Sequence, residues 1–425
     1  MLHPRLVVLA VALAACTDPS PVPDAPPDRP LETVSRSPVI GLPDSLIAAL
    51  VAEDPLWEDA LRIHYDALVI DGHVDTPWRM IDDGLDIRQR NADHHLDVPR
   101  MAEGGLDAVF FALFVSRTYG ESPDATDRAL ELLREVERQL EGLDAAEIAR
   151  TAADVTRIAD EGRHAILIGL EGGHALQASP EVLRELADRG VRYVTLNHTN
   201  TNSWSDSSQD EALHDGLTDV GRQLVAEMNR LGVLVDLSHS ADAVVSDVFD
   251  VTRAPVIFSH SSCRALVENI RNVTDAQLRQ LDRNDGLVMI NVYSPLVNSH
   301  LTPEVMAGAY ARIEADGGDL AGLWTAVEAE RQARGLGNAT LSNVLDHIDH
   351  AVQVAGIDHV GLGTDFDGIP LTPDGLDDVT RLPWITHGLL ARGYTEEDVR
   401  KILGGNALRV LRIAEEIGER LRADA

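Results

Sequence analysis

The chain runs to 425 residues, 44% of them hydrophobic and 25% charged, a composition that supports a folded protein with one large core or two ordinary domains. Its 70 acidic and 36 basic residues leave a formal net charge of −34, which disfavours a nucleic-acid partner, since binding phosphates requires a concentrated positive surface. Nearly all of the positive charge is arginine, and the one lysine is Lys401.

The opening "MLHPRLVVLAVALAACTDPSP" carries Arg5, an apolar run from Leu6, and then Leu13, Ala14, Ala15 and Cys16. The run is too short to span a bilayer, and small residues ahead of a cysteine are similar to the bacterial lipobox. We therefore expect a lipoprotein signal peptide over 1–16, with Cys16 lipidated and the protein exported and anchored in the bacterial cell envelope, on the periplasmic side or at the outer membrane. The following "TDPSPVPDAPPDRP" cannot bury a core, so 17–41 is expected to be a flexible tether and 42–425 a single folded domain. The other cysteine, Cys263, has no partner for an internal disulfide.

Beyond the tether, apolar runs recur at 67–75, 106–115, 164–173, 191–199, 232–240, 254–262, 286–294 and 359–368, giving eight candidate strands. Between them lie helix-patterned stretches such as "ATDRALELLREVERQLEG", "SPEVLRELADRG", "LTDVGRQLVAEMNRLG" and "TDAQLRQLDRNDG", several opening on Ser, Thr or Asp and closing on Gly. Runs apolar on both faces suit parallel strands covered by helices, and eight of them suit an α/β fold of the (β/α)8 TIM-barrel type, with an open doubly wound sheet as the alternative. The long connection 295–357 has helical patterning, so extra helices are expected there, and closing helices from about Thr395.

Almost every strand run ends in a side chain able to bind metal or move a proton: His73 and Asp75, then Glu171, His198, His239, His260 and Asp365. In "VIDGHVDTPWRM" the i, i+2 spacing of His73 and Asp75 points both to one side of an extended chain. A lone strand-end histidine is usually structural, as His164, His174 and His359 are expected to be. Seven such residues at equivalent positions would instead converge at the C-terminal mouth of a barrel. His73, Asp75, Glu171, His239 and His260 exceed the usual three protein ligands of one catalytic zinc, which suggests two ions about 3.5–4 Å apart with Glu171 bridging them. Gly172 and Gly173 would leave room there for close approach of substrate. A carboxylated lysine cannot bridge, because Lys401 lies in the distal "EEDVRKILGG".

These residues resemble the membrane (renal) dipeptidase family, zinc peptidases of the amidohydrolase-like barrel superfamily. The resemblance runs through "DGHVDTP", "HLDVPRMAEGGLDAVFFALFV", "LEGG", "LNHTNTNSWSD", "DLSH", "FSHSS", "RNVTD" and "GTDFDG", over about residues 45–415. It implies two zinc ions on His73, Asp75, Glu171, His239 and His260, substrate or catalytic roles for His198, Arg271 and Asp365, a dipeptide substrate, and a family-like homodimer. Peptide hydrolysis would then use a bridging water whose pKa the ions lower towards about 7. Asp365 would act as general base and then acid, His198 would stabilise the oxyanion, and Arg271 would grip a free C-terminal carboxylate. Two other functions are compatible with the sequence: a metal-dependent amidase or lactonase on the same barrel, and a non-catalytic ligand-binding lipoprotein, against which the retention of Asp365 argues.

Overall fold

A computed structural model of the chain describes residues 40–298, 303–315 and 323–424. The expected signal peptide with Cys16, and the expected tether up to residue 39, lie outside these residues. Leu42 is already buried, and the first helix, Asp44–Glu53, begins two residues later.

All eight expected strands form, each shorter than its apolar run, and a ninth joins them: β1 (Ile70–Val74), β2 (Ala108–Phe114), β3 (Ala146–Ile148), β4 (His164–Glu171), β5 (Val191–Thr195), β6 (Leu234–Asp236), β7 (Val256–Ser261), β8 (Leu287–Ile290) and β9 (Val360–Leu362). Every pairing is parallel. β1 pairs with β2 and β9, β2 with β4, and β4 through β9 pair in succession, so eight strands close into a (β/α)8 barrel. The unexpected β3, "AEI", lies along only the first residues of β4, from Ala146↔His164 to Ile148↔Ile166, where β5 has not yet begun to pair. Three residues with a glutamate in the middle carry no readable period.

Strand residues alternate between two cores. On β2 and β4, Val109, Phe111, Leu113, Ile166, Ile168 and Leu170 pack outwards under the helices. Ala108, Phe110, Ala165 and Leu167 point into the barrel with Tyr193, Ile257 and Met289. That interior cluster is contiguous with Val410, Leu411 and Ala414 of the last helix, Asn406–Ala423, which seals the end opposite the site.

The helices start and stop where the expected cap residues stand. Ser179 and Thr218 accept from the backbone N–H of Val182 and Gly221, and Gly190 and Gly232 end those helices with left-handed backbones. The helix Asp275–Asn284 opens on a Thr274/Gln277 capping box, but its left-handed terminal position is Asp285 (φ 56°), one residue before the expected Gly286. The connection after β8 carries the expected extra helices, Ser294–Val297, Pro303–Ala315, Leu323–Ala333 and Leu341–Ala355. Cys263 is free and buried, and Lys401 pairs with Asp358 Oδ1 at 2.9 Å on the closing helices. No helix among the described residues is long and apolar enough to cross a membrane.

Candidate active site

The seven strand-end residues come together at the C-terminal mouth, though not all by simple alternation. His73 lies within β1, whose pairing with β2 shifts register between Asp71 and Val74. His260 lies within β7, whose pairing with β8 shifts between Phe258 and Ser261. Such bulges re-aim side chains beside active sites. Asp75 is not in the strand at all: it precedes the helix Thr76–Asp82 with φ −96° and ψ 19°. It still meets His73, with Oδ2 3.5 Å from His73 Nε2, so the expected convergence holds by a strand-to-helix turn instead of by a shared pleat face. His239 and Asp365 sit in left-handed conformations, φ 67° and 66°. Non-glycine residues held there cost on the order of 1–3 kcal/mol and persist only where surrounding structure imposes the geometry.

Glu171, the last residue of β4, is central. Its Oε2 is 3.7 Å from His73 Nε2, and its Oε1 is 3.3 Å from His239 Nε2 and 3.5 Å from His260 Nε2. Donor atoms gather within 4.8 Å of one another in three overlapping groups: His73, Glu171 and His260; Glu171, His198 and His239; and His73, Asp75 and Asp365.

Neighbouring groups fix which imidazole nitrogens are bare. Ser259 Oγ donates its proton to Asp236 Oδ2 at 2.6 Å, so at 2.7 Å it can only accept from His260 Nδ1–H, and His260 Nε2 carries a lone pair. His239 Nδ1–H donates to Gln209 Oε1 at 2.9 Å, leaving His239 Nε2 bare as well. These two bare nitrogens lie 3.0 Å apart. Two facing lone pairs repel, and a cation between them relieves that repulsion. His73 Nε2 and Asp75 Oδ1 are buried without a hydrogen-bond partner, and Asp75, although at a helix N-cap position, makes no capping bond. Orphaned buried donor atoms of nitrogen and oxygen type, directed at one another, fit a divalent cation site of the zinc kind.

The titration behaviour is that of a cluster with unbalanced charges. Burial, then Asp75 and Asp365, hold the Glu171 carboxyl well above the usual range, against His73. Burial also pushes Asp365 up to about 7, while Asn291, donating to its Oδ2 at 2.9 Å, opposes the shift. Burial would lower His73, but Glu171, Asp75 and Asp365 outweigh it and raise His73 to about 10. Burial and then Arg271 depress His239, and they hold His198 down at about 3, so both rings are neutral near pH 7. Burial lowers Arg271 to about 10, which leaves its guanidinium charged.

Arg271, on the loop after β7, is only 8% exposed. Its guanidinium donates to His260 O at 3.3 Å and Ser261 Oγ at 3.5 Å, and it makes no ion pair among the described residues. It lines a cavity of about 800 Å³ with Asp75, Glu171, His198, His239 and Asp365. Trp78 also lines this cavity, stacked under Arg79 and edge-on to Phe114, so it walls the cavity as well as packing.

The expectation for the two glycines is corrected. A Cβ on Gly173 would overlap Leu196 O and come within 2.6 Å of Trp204, and Gly172 (φ 112°) faces His174 and Val115, so both serve loop packing and not substrate approach. The glycine beside the carboxylates is Gly368, where a Cβ would overlap Asp75 Oδ2. His164 and His359 bond to backbone carbonyls, Leu106 O and Gly286 O, as structural histidines do, and His174 is buried. Sequence reasoning passed over Tyr193, whose hydroxyl meets His73 Nδ1 at 2.7 Å, and Gln209 and Asn291. Asn291 follows a strand run like the others, but an amide is neither a preferred metal ligand nor a proton carrier.

Comparison with known proteins agrees with this geometry. The family model "Membrane dipeptidase (Peptidase family M19)" matches residues 57–425. The dipeptidase tcpJ of Claviceps purpurea is 37% identical over 372 residues, covering 85% of this chain and 76% of that protein. Among solved structures, the probable dipeptidase PvdM of Pseudomonas aeruginosa is 25% identical with a TM-score of 0.75, covering 85% of this chain and 99% of that one. A metallopeptidase from Rhodobacter sphaeroides, liganded with a phosphinate mimic of the dipeptide L-Ala-D-Ala, is 26% identical with a TM-score of 0.68, covering 82% and 100%. The chain thus belongs to the membrane dipeptidases of peptidase family M19, metallopeptidases acting on dipeptides.

Proposed function

We propose that the chain hydrolyses dipeptides bearing a free C-terminal carboxylate, using two divalent cations, zinc foremost, on His73, Asp75, Glu171, His239 and His260 with Glu171 shared between them. Bound there, the cations supply Lewis-acid polarisation of the scissile carbonyl and a water made acidic enough to attack at neutral pH. The chain's own residues do the rest. Arg271, buried and without a carboxylate partner among the described residues, is the observation that carries the proposal: a guanidinium in a cavity gains most from a planar anion arriving with the substrate. It sets the distance from the terminal carboxylate to the reacting bond and so selects short substrates. His198, neutral and half-buried beside His239 (ring centroids 4.4 Å apart), donates to the carbonyl oxygen as it becomes tetrahedral. Asp365 has one oxygen held by Asn291, and the other takes the proton of the attacking water and returns it to the leaving amine.

The rhodobacterial relative's complex with a dipeptide mimic supports the substrate class. The test is a panel of dipeptides and their C-terminal amides on wild type and Arg271→Ala, with and without chelator. Loss confined to free carboxylates, and loss of all turnover on chelation, are expected; equal loss on amides, or turnover that survives chelation, overturns the proposal. Export and anchoring through Cys16 belong to the same proposal and rest on the 1–16 segment. Cys16→Ser is expected to release the protein from the envelope fraction. The family-like homodimer is tested by sedimentation.

A further inference from the structure

We infer that the enzyme prefers dipeptides whose second residue carries a cationic side chain, of the lysine or arginine kind, and that Glu268 is the residue that selects them. The inference rests on the dipeptidase proposal, with the terminal carboxylate at Arg271. Three residues before Arg271 on the same loop, Glu268 lines the cavity and is exposed. Among the described residues its carboxylate makes no hydrogen bond or ion pair. Arg271 is the only lysine or arginine among the described residues lining the cavity, and its charge is matched by the substrate's own carboxylate. Asp75, Glu171 and Asp365 belong to the cation cluster. What remains around the outer part is Glu268 and, across from the loop on the helix Pro303–Ala315, Glu304.

A side chain on the residue held by Arg271 therefore emerges into a negative field. Apolar and aromatic groups lining the same cavity suit a long cationic side chain. Ile270 (56% exposed) offers an aliphatic surface for a methylene stem, and Tyr310 (48% exposed) offers a ring face to an ammonium or guanidinium group. An acidic side chain in this position meets the like charge of Glu268, with no lysine or arginine besides Arg271 among the described lining residues.

The experiment compares kcat/KM for Ala-Lys, Ala-norleucine and Ala-Glu on wild type, Glu268→Gln and Glu268→Lys. Norleucine keeps the aliphatic stem of lysine and removes its charge. A partly solvated pair changes affinity by up to about fivefold, so Ala-Lys is expected to exceed Ala-norleucine by about that factor, through KM, and less so at high salt. In Glu268→Gln the ratio falls towards one while Ala-norleucine is unchanged, and in Glu268→Lys the order of Ala-Lys and Ala-Glu reverses. Equal kcat/KM for Ala-Lys and Ala-norleucine on wild type, or a ratio that persists in Glu268→Gln, overturns the inference while leaving the dipeptidase proposal standing. Failure to hydrolyse any of the three overturns that proposal itself.

Discussion

On the proposed cation site, replacing Glu171 with glutamine separates two jobs of a buried carboxylate, holding cations and holding the fold. In protein stripped by a chelator, the Glu171 carboxyl is already pushed well above its usual range by burial, with Asp75 and Asp365 adding to the shift. An amide of the same shape loses little there, and the stripped variant is expected within about 1 kcal/mol of stripped wild type. The loaded protein differs, because Glu171 belongs to two of the three donor groups. A cation at 100 times its dissociation constant stabilises a fold by about 2.7 kcal/mol. At about 2.1 cal/mol/K of unfolding entropy per residue, a folded region of roughly 370 residues converts this into about 3.5 °C of Tm for one cation and about 7 °C for two. The assay is thermal unfolding with and without chelator, beside metal content by mass spectrometry. Chelation should lower the wild-type Tm by about 7 °C and leave Glu171→Gln where it is. A variant that still holds two cations per chain, or whose Tm drops on chelation as much as wild type, would refute the shared-carboxylate reasoning.

Three further outcomes are expected. Gly368→Ala drives a methyl group into Asp75 Oδ2 and towards Asp365 Oδ1, 2.7 Å away. A shift on the order of 1 Å in reacting groups costs ~10²-fold, so kcat/KM should fall by about that much while circular dichroism is unchanged. Gln209→Ala removes the acceptor that fixes the His239 tautomer, and cation affinity measured by competition with a chromophoric chelator should weaken about 10- to 100-fold. His64 gives a pH dependence away from the site. Gly104 O can only accept, so His64 Nε2–H donates to it and Nδ1 accepts from Thr386 Oγ1. Burial lowers its pKa from 6.5 to about 4, so the unfolded chain binds the proton first, and the stabilisation is present above pH 6.5 and lost as pH falls towards 4. A shift of that size is worth about 3 kcal/mol, and denaturant titrations of His64→Gln should show acid sensitivity reduced by roughly that amount. An unchanged difference from wild type between pH 7 and 4 would count against it.

The amino-acid sequence by itself determined the eight barrel strands, the helix caps and the seven side chains at the strand ends. Each of these is a local property: a run of apolar residues, a serine ahead of a helix, or a histidine where such a run stops. It also ruled out Lys401 as a bridge, because its position along the chain put it in a distal helix. Only the tertiary structure decided the rest. Which nitrogen of His239 is bare depends on Gln209, 30 residues away, and that of His260 depends on Ser259 being committed to Asp236 on a neighbouring strand. Tyr193 reaches His73 because Gly169, on the adjacent strand, leaves space for its ring. Asp75 turns away from capping its helix, Gly173 yields its space to Trp204 instead of to substrate, and Arg271 is left buried without a carboxylate partner among the described residues. Hydrogen-bond commitment and excluded volume are properties of pairs brought together by barrel closure, so no stretch of sequence contains them.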